Sequence, residues 1–300
     1  MTDRPTSARE RDTRAPSLWA RLLAALRGGA HPAPLPPAPP RVRVDLPFHV
    51  PLPPPSARGD ATTALRAALL AFGRPHDVAA VDEACGVAAD GSASIDALEE
   101  VARSFGIDAV QRVVPVEHLL LAEAALLPAI VVTRRQSSAP ASFTLVWNLD
   151  GGRVQVLESD GSCNWVEATS LLDLVELYEV VLPEETVTAM LREPKFVRPL
   201  HARLRERGVV DAAALVDEAL SAPGCRGLAA LDATLRAAPE LRDTALSQRA
   251  SSALRGGVEE LPPQSRHVRE ERHGRSSVRG VVALTLAEGG EPTPHAFGLR

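Results

Sequence analysis

Between Gly59 and Gly73 the chain reads GDATTALRAALLAFG, with Leu65, Leu69 and Phe72 recurring at helical spacing. Asp60 suits the cap of this helix, Thr62 and Thr63 its first turn, and Gly73 its end. A second helix is expected over 76–84. A third lies in DGSASIDALEEVARSFG, where Ser94 precedes Ile95, Leu98, Val101 and Phe105 on one face. The period then changes. AVQRVVPV and LLPAIVVT read as strands, separated by a short helix in VEHLLLAEA. SFTLVWNL and RVQVLES alternate with period two and join through Asp150-Gly151-Gly152, a hairpin signal. SLLDLVELY is expected to close the unit as a helix. Three helices followed by a mostly antiparallel sheet is an α+β order.

Outside this unit the pattern weakens and divides the chain into four parts. Residues 1–55 combine a polar start, a short amphipathic helix over 17–27 and a stretch from Pro32 to Pro55 with 11 prolines in 24 residues. Such a stretch is an extended tether, in which RVRVDL offers an edge strand. The main domain spans 56–183. Residues 184–257 carry five apolar segments at spacings of three and four, punctuated by Gly or Pro, and predict a small all-α region. Residues 258–300 read as a mixed-charge linker over 258–280 and a tail in which VVALTLAEGG forms one strand.

The net charge of −5 gives no reason to expect nucleic acid or an anionic membrane as partner. The longest apolar run is broken by His118, Glu123 and Pro128, too short to span a bilayer, so no transmembrane segment is expected. Three cysteines without metal spacing, Cys85, Cys163 and Cys225, fit a reducing compartment and argue against a disulfide framework. No metal and no cofactor is implied. His267 and His273 belong to the mixed-charge stretch and read as a solvated loop.

Five segments in order, GDATTALRAALLAFG, DGSASIDALEEVARSFGI, LLPAIVV, SFTLVWN and VQVLESDG, resemble the C39 family of papain-like cysteine peptidases, the leader-cleaving domains of bacteriocin and lantibiotic ABC exporters. The resemblance covers residues 50–183, under half the chain. It implies a papain-like, C39-like domain with an antiparallel sheet, followed by the all-α region. The family pattern asks for a cysteine where this chain has Ala61, after a matching Asp60. It asks for an oxyanion-hole glutamine at Pro55, a histidine at Ser142 and an aspartate at Glu158. Thiolate chemistry needs a nucleophile and a base within hydrogen-bond reach. An alanine methyl cannot attack, and a serine hydroxyl cannot take a proton near neutral pH. The resemblance therefore implies a catalytically degenerate, C39-like domain.

A groove without its nucleophile still binds. The resemblance places Asp60, Ala61, Ser142, Phe143 and Trp147 as peptide-binding positions, although Trp147 reads equally as sheet packing and Phe143 more readily as core. It implies a peptide or protein cargo and a separate ABC exporter chain as partners, in the cytoplasm, at the inner membrane only through that partner. Two other readings stay open: a cysteine peptidase with its thiol relocated to Cys163, in a turn beyond the final strand, and a helical scaffold. Cys85 reads as a core thiol. His76 and His118 read as surface residues on helices.

Overall fold

The structure is a computed structural model and describes residues 60–85, 94–134, 142–157, 162–256 and 261–289. The expectations for residues 1–55, for Pro55, for Glu158 and for the end of the tail lie outside these, and of Asp60 only the backbone is described. Three helices lead: α1 (Asp60–Ala71), α2 (Val78–Ala84) and α3 (Ile95–Ser104). Asp77 caps α2 and Ser94 caps α3, each side chain accepting from a backbone N–H in the first turn. His76 thus precedes α2 and is not on it.

The strands are β1 (Ile107–Val114), β2 (Ala129–Thr133), β3 (Ser142–Asp150), β4 (Arg153–Leu157), β5 (Cys163–Glu167), β6 (Leu177–Pro183), β7 (Val268–Glu270) and β8 (Arg275–Glu288). They form one antiparallel sheet in the order β1-β8-β2-β3-β4-β5, with β6 and β7 both paired to β8. Side chains alternate across it. Ile107, Ala109, Ile130, Leu145, Leu284 and Leu286 face the three leading helices. Val114, Ala129, Val131, Val146, Val281 and Ala283 form the opposite face. Covering both faces explains why β2 is an unbroken apolar run, AIVVT, buried at every position.

Two expected helices are different objects. VEHLLLAEA forms two single 3-10 turns, Val116–His118 and Ala122–Ala124. SLLDLVELY splits into the short helix α4 (Ala168–Leu172) and the strand β6, because Leu177 to Pro183 pair with β8. Cys163 opens β5 and does not lie in a turn. The five apolar segments after it are helices: α5 (Glu184–Leu191), α6 (Pro194–Glu206), α7 (Ala212–Ser221), α8 (Arg226–Ala237) and α9 (Asp243–Gly256).

The stretch read as a linker is the largest correction. Within 258–280, residues 268–270 are a strand and 275–280 begin β8, which runs on through the expected strand to 288 and lies between β1 and β2 at the centre of the sheet. Its apolar alternation begins inside the polar-looking sequence, at Val278. The helices of the all-α region share one apolar cluster with Leu182, Val268 and Val278, so they pack directly on the sheet.

Candidate functional site

α1 packs across β3, which brings the altered positions of the sequence motif onto two touching elements. Ala61 is 4% exposed and belongs to the apolar cluster between helices and sheet, together with Trp147. The pairing of β3 with β4 shifts between Val146 and Asn148, which leaves Trp147 as the extra residue of a β-bulge. The bulge changes the parity of the strand: Leu145 and Trp147 face α1, while Leu149 packs on the other side. The Trp147 ring lies 5.2 Å from that of Phe72, tilted by 60°, and is 5% exposed. Phe143 is half-buried against the same cluster, and Ser142 beside it pairs with Thr133, whose hydroxyl donates to the Ser142 carbonyl at 3.3 Å. Ala61 and Trp147 are thus buried together, with Phe143 at the rim of their cluster, whereas Ser142, one position before Phe143 on an unbroken stretch of β3, belongs to the opposite face of the sheet with Thr144 and Val146.

Cys163 sits at this rim as well, half-buried against the Ala61 cluster. The Gln155 amide donates to its sulfur at 3.7 Å. Burial raises the thiol's pKa, and the bond from Gln155 opposes this only in part. Burial also pushes Cys85 up to about 12, with Asp82 adding to the effect, and raises Cys225. No histidine is among the groups acting on any of the three. A reactive thiol needs the reverse, a cation or an imidazole beside it that favours the thiolate. The same helix α1 also carries two buried polar side chains on another face, Thr63 and Arg66; Thr63 Oγ1 and Arg66 Nε and Nη2 have no hydrogen-bond partner among the described residues.

A second concentration of chemistry lies where the all-α region meets the sheet. His118, read from sequence as a surface residue, is fully buried, and so is Asp232; His267, read as part of a solvated loop, is 2% exposed. Arg203 Nη1 donates to Asp232 Oδ1 at 2.9 Å and to His118 Nε2 at 3.2 Å. A guanidinium only donates, so His118 Nε2 accepts and its proton sits on Nδ1. Arg236 Nη2 donates to Glu117 Oε2 at 2.6 Å, and its Nε lies 3.6 Å from Asp232 Oδ2. His267 Nδ1 donates to the Arg279 carbonyl on β8. Phe196 lies between the two imidazoles, 5.1 Å from His118 and 6.0 Å from His267.

Burial dominates both histidines. It brings His118 down to about 3 and His267 down to about 4, although Asp232 pulls each the other way. Burial works to raise Asp232, but Arg203 and Arg236 outweigh it and the carboxyl ends below its usual range. The cluster is therefore two neutral imidazoles around one carboxylate held by two guanidiniums. It fixes α6 and α8 against the sheet and is closed to solvent.

Asp232 was not singled out in the sequence, yet a signal existed. It is a lone acid in GLAALDATLRAA, where Gly227 to Leu235 are all buried. A single carboxylate inside an all-buried helix needs a partner, and Arg236 one turn later is the nearest in sequence.

Among the described residues no group of three or more His, Cys, Asp or Glu is placed to hold a metal ion. No described helix is long and apolar enough to cross a membrane. No family model and no curated protein matches the sequence. Among solved structures, the chain is similar to a double glycine motif protease from an AMS/PCAT transporter, determined in complex with the leader peptide. The identity is 16%, the overlap covers 45% of this chain and 89% of that one, and the TM-score is 0.37.

Proposed function

We propose that the junction of α1 and β3 binds an extended peptide without cleaving it, as a degenerate C39-like docking module that hands cargo to a separate ABC exporter in the cytoplasm. The observation that carries this reading is the chemistry of the junction. Two elements that resemble the catalytic helix and strand of a cysteine peptidase touch there, and the residues they bring together are Ala61, Phe143 and Trp147, with Ser142 on the other face of β3. Neither a nucleophile nor a base is among them.

The rim suits an apolar anchor against the half-buried Phe143, beside the buried Ala61 and Trp147. An extended peptide with one or two apolar anchors reaches about micromolar affinity, roughly −8 kcal/mol. That strength suits cargo that must be released again. The thiol-relocated peptidase is disfavoured by Cys163 itself, whose pKa is raised and whose partner is an amide.

The test is titration of double-glycine leader peptides against the full chain and Ala61→Trp, with mass spectrometry for cleavage. Binding without cleavage, weakened by Ala61→Trp, is expected. Turnover abolished by Cys163→Ala would replace this reading with the peptidase. Equal binding by Ala61→Trp, with contacts mapping to 184–257, would move the function to the helices.

A further inference from the structure

A cavity of about 50 Å³ opens between β1 and the junction of α5 with α6, away from the α1–β3 site. Its walls are mostly apolar, with Val113, Met190, Leu191 and Phe196, and Gln111 is also part of the lining. Its mouth carries Arg112, Glu193 and Lys195. Two of these three are paired with each other, since Arg112 Nη1 donates to the Glu193 carboxylate, although Arg112 Nε has no hydrogen-bond partner among the described residues.

Lys195 is different. It stands in the first turn of the 13-residue α6, whose positive end adds to its own charge. Among the described residues no carboxylate lies within ion-pair distance of it and no hydrogen bond reaches it, and Asp108 and Glu193 act on it only through space. Burial and the neighbouring Arg112 both lower its pKa, the direction expected of an ammonium short of counter-charge. An apolar cavity beside an unpaired, half-buried cation is a site with one apolar and one anionic requirement.

We infer that this cavity binds a short branched aliphatic carboxylate, with the carboxylate on Lys195 and the alkyl group between Val113, Met190 and Phe196. At about 10–15 Å³ for each water-sized group, the volume takes roughly four such groups, the size of an isobutyl chain. Two sources share this chemistry: a free acid, and the C-terminal leucine or valine of a peptide. The site is independent of the α1–β3 junction, and its test does not rest on what that junction binds.

The experiment is an NMR titration of the full chain with isovalerate. Acetate supplies the head without the tail, and isopentylamine the tail with the opposite charge. Saturable shifts confined to β1 and the start of α6 are expected with isovalerate, with acetate about tenfold weaker and the amine without effect. Lys195→Gln should weaken isovalerate about tenfold, Lys195→Arg should retain it, and Met190→Trp should block it. N-acetyl-leucine and its amide separate the sources: the acid binding and the amide failing identifies a peptide terminus, and failure of both identifies the free acid. Unsaturable shifts, shifts elsewhere, or unchanged binding by Lys195→Gln overturns the inference, whether or not Met190→Trp folds.

Discussion

Acidifying the protein from about pH 7 to pH 5 isolates the two buried imidazoles. In the folded chain His118 and His267 titrate near 3 and 4, so both stay neutral over this range. In the unfolded chain each takes a proton near 6.5. The folded values lie below the unfolded ones, so unfolding takes up protons and stability rises with pH. It is fully present above about 6.5 and is lost as the pH falls toward the folded values. At pH 5 an unfolded imidazole is about 1.5 pH units below its pKa, a loss of about 2 kcal/mol for each histidine and about 4 for the pair. A domain's whole stability is typically about 5–15 kcal/mol. Asp232 does not blur the window, because its lowered carboxyl affects stability only below about pH 4, where an unfolded carboxylate protonates. The assay is urea unfolding followed by tryptophan fluorescence and circular dichroism at half-unit steps of pH. The free energy should fall by nearly 3 kcal/mol per pH unit near pH 5, the slope of two protons. His118→Gln and His267→Gln should each halve it. A flat profile between about pH 5 and 6.5, or a slope that survives both substitutions, would refute the idea that these imidazoles are held neutral.

Other expectations follow from the same contacts. Asp232→Ala leaves Arg203 and Arg236 buried without their shared carboxylate and should cost about 3–5 kcal/mol, whereas Arg203→Met with Asp232→Leu should recover most of it in a double-mutant cycle by chemical denaturation. Gly280→Ala places a methyl 2.3 Å from the Val114 carbonyl oxygen and 2.9 Å from His267 Cε1, so it should lose roughly 1–3 kcal/mol in thermal unfolding; an unchanged melting temperature would show that β1 can move aside. Iodoacetamide at neutral pH should label Cys163 slowly and leave Cys85 and Cys225 untouched in the folded protein; fast labelling of Cys163 would contradict the raised pKa of its thiol.

The α+β order was legible because its signals are local. The helix faces, the capping residue Ser94, and the Asp150-Gly151-Gly152 hairpin all act within a few residues. What escaped was set by partners far along the chain. Leu177 and Tyr178 read as the end of a helix and instead open β6, because β8 offers Leu177 to Pro183 a full ladder. His118 lies in a short apolar turn, and its burial is decided by Arg203 and Asp232, which arrive from α6 and α8. The polar lead of β8 hid only its start, at 275–280, and its central place in the sheet; the strand over 281–288 was legible. At the candidate site, the motif order brought α1 and β3 to attention, but the bulge that turns Trp147 toward Phe72 is a register effect with no composition signal.

The central position of β8 has a consequence for the order in which the molecule can be assembled. Thr285 donates to the Val110 carbonyl across 175 residues of chain. β2 to β5 are joined by short connections and can pair as hairpins while the chain is still emerging. β1 has β8 as its sheet neighbour, so its backbone groups wait for nearly the whole polypeptide before they are paired. Without β8 the sheet would have two open edges, β1 and β2, with a slot one strand wide between them. A slot of that kind accepts any extended segment of suitable alternation. The same sequence that completes the fold must therefore outcompete others for that place, and 275–288 achieves this by reaching both halves of the sheet at once.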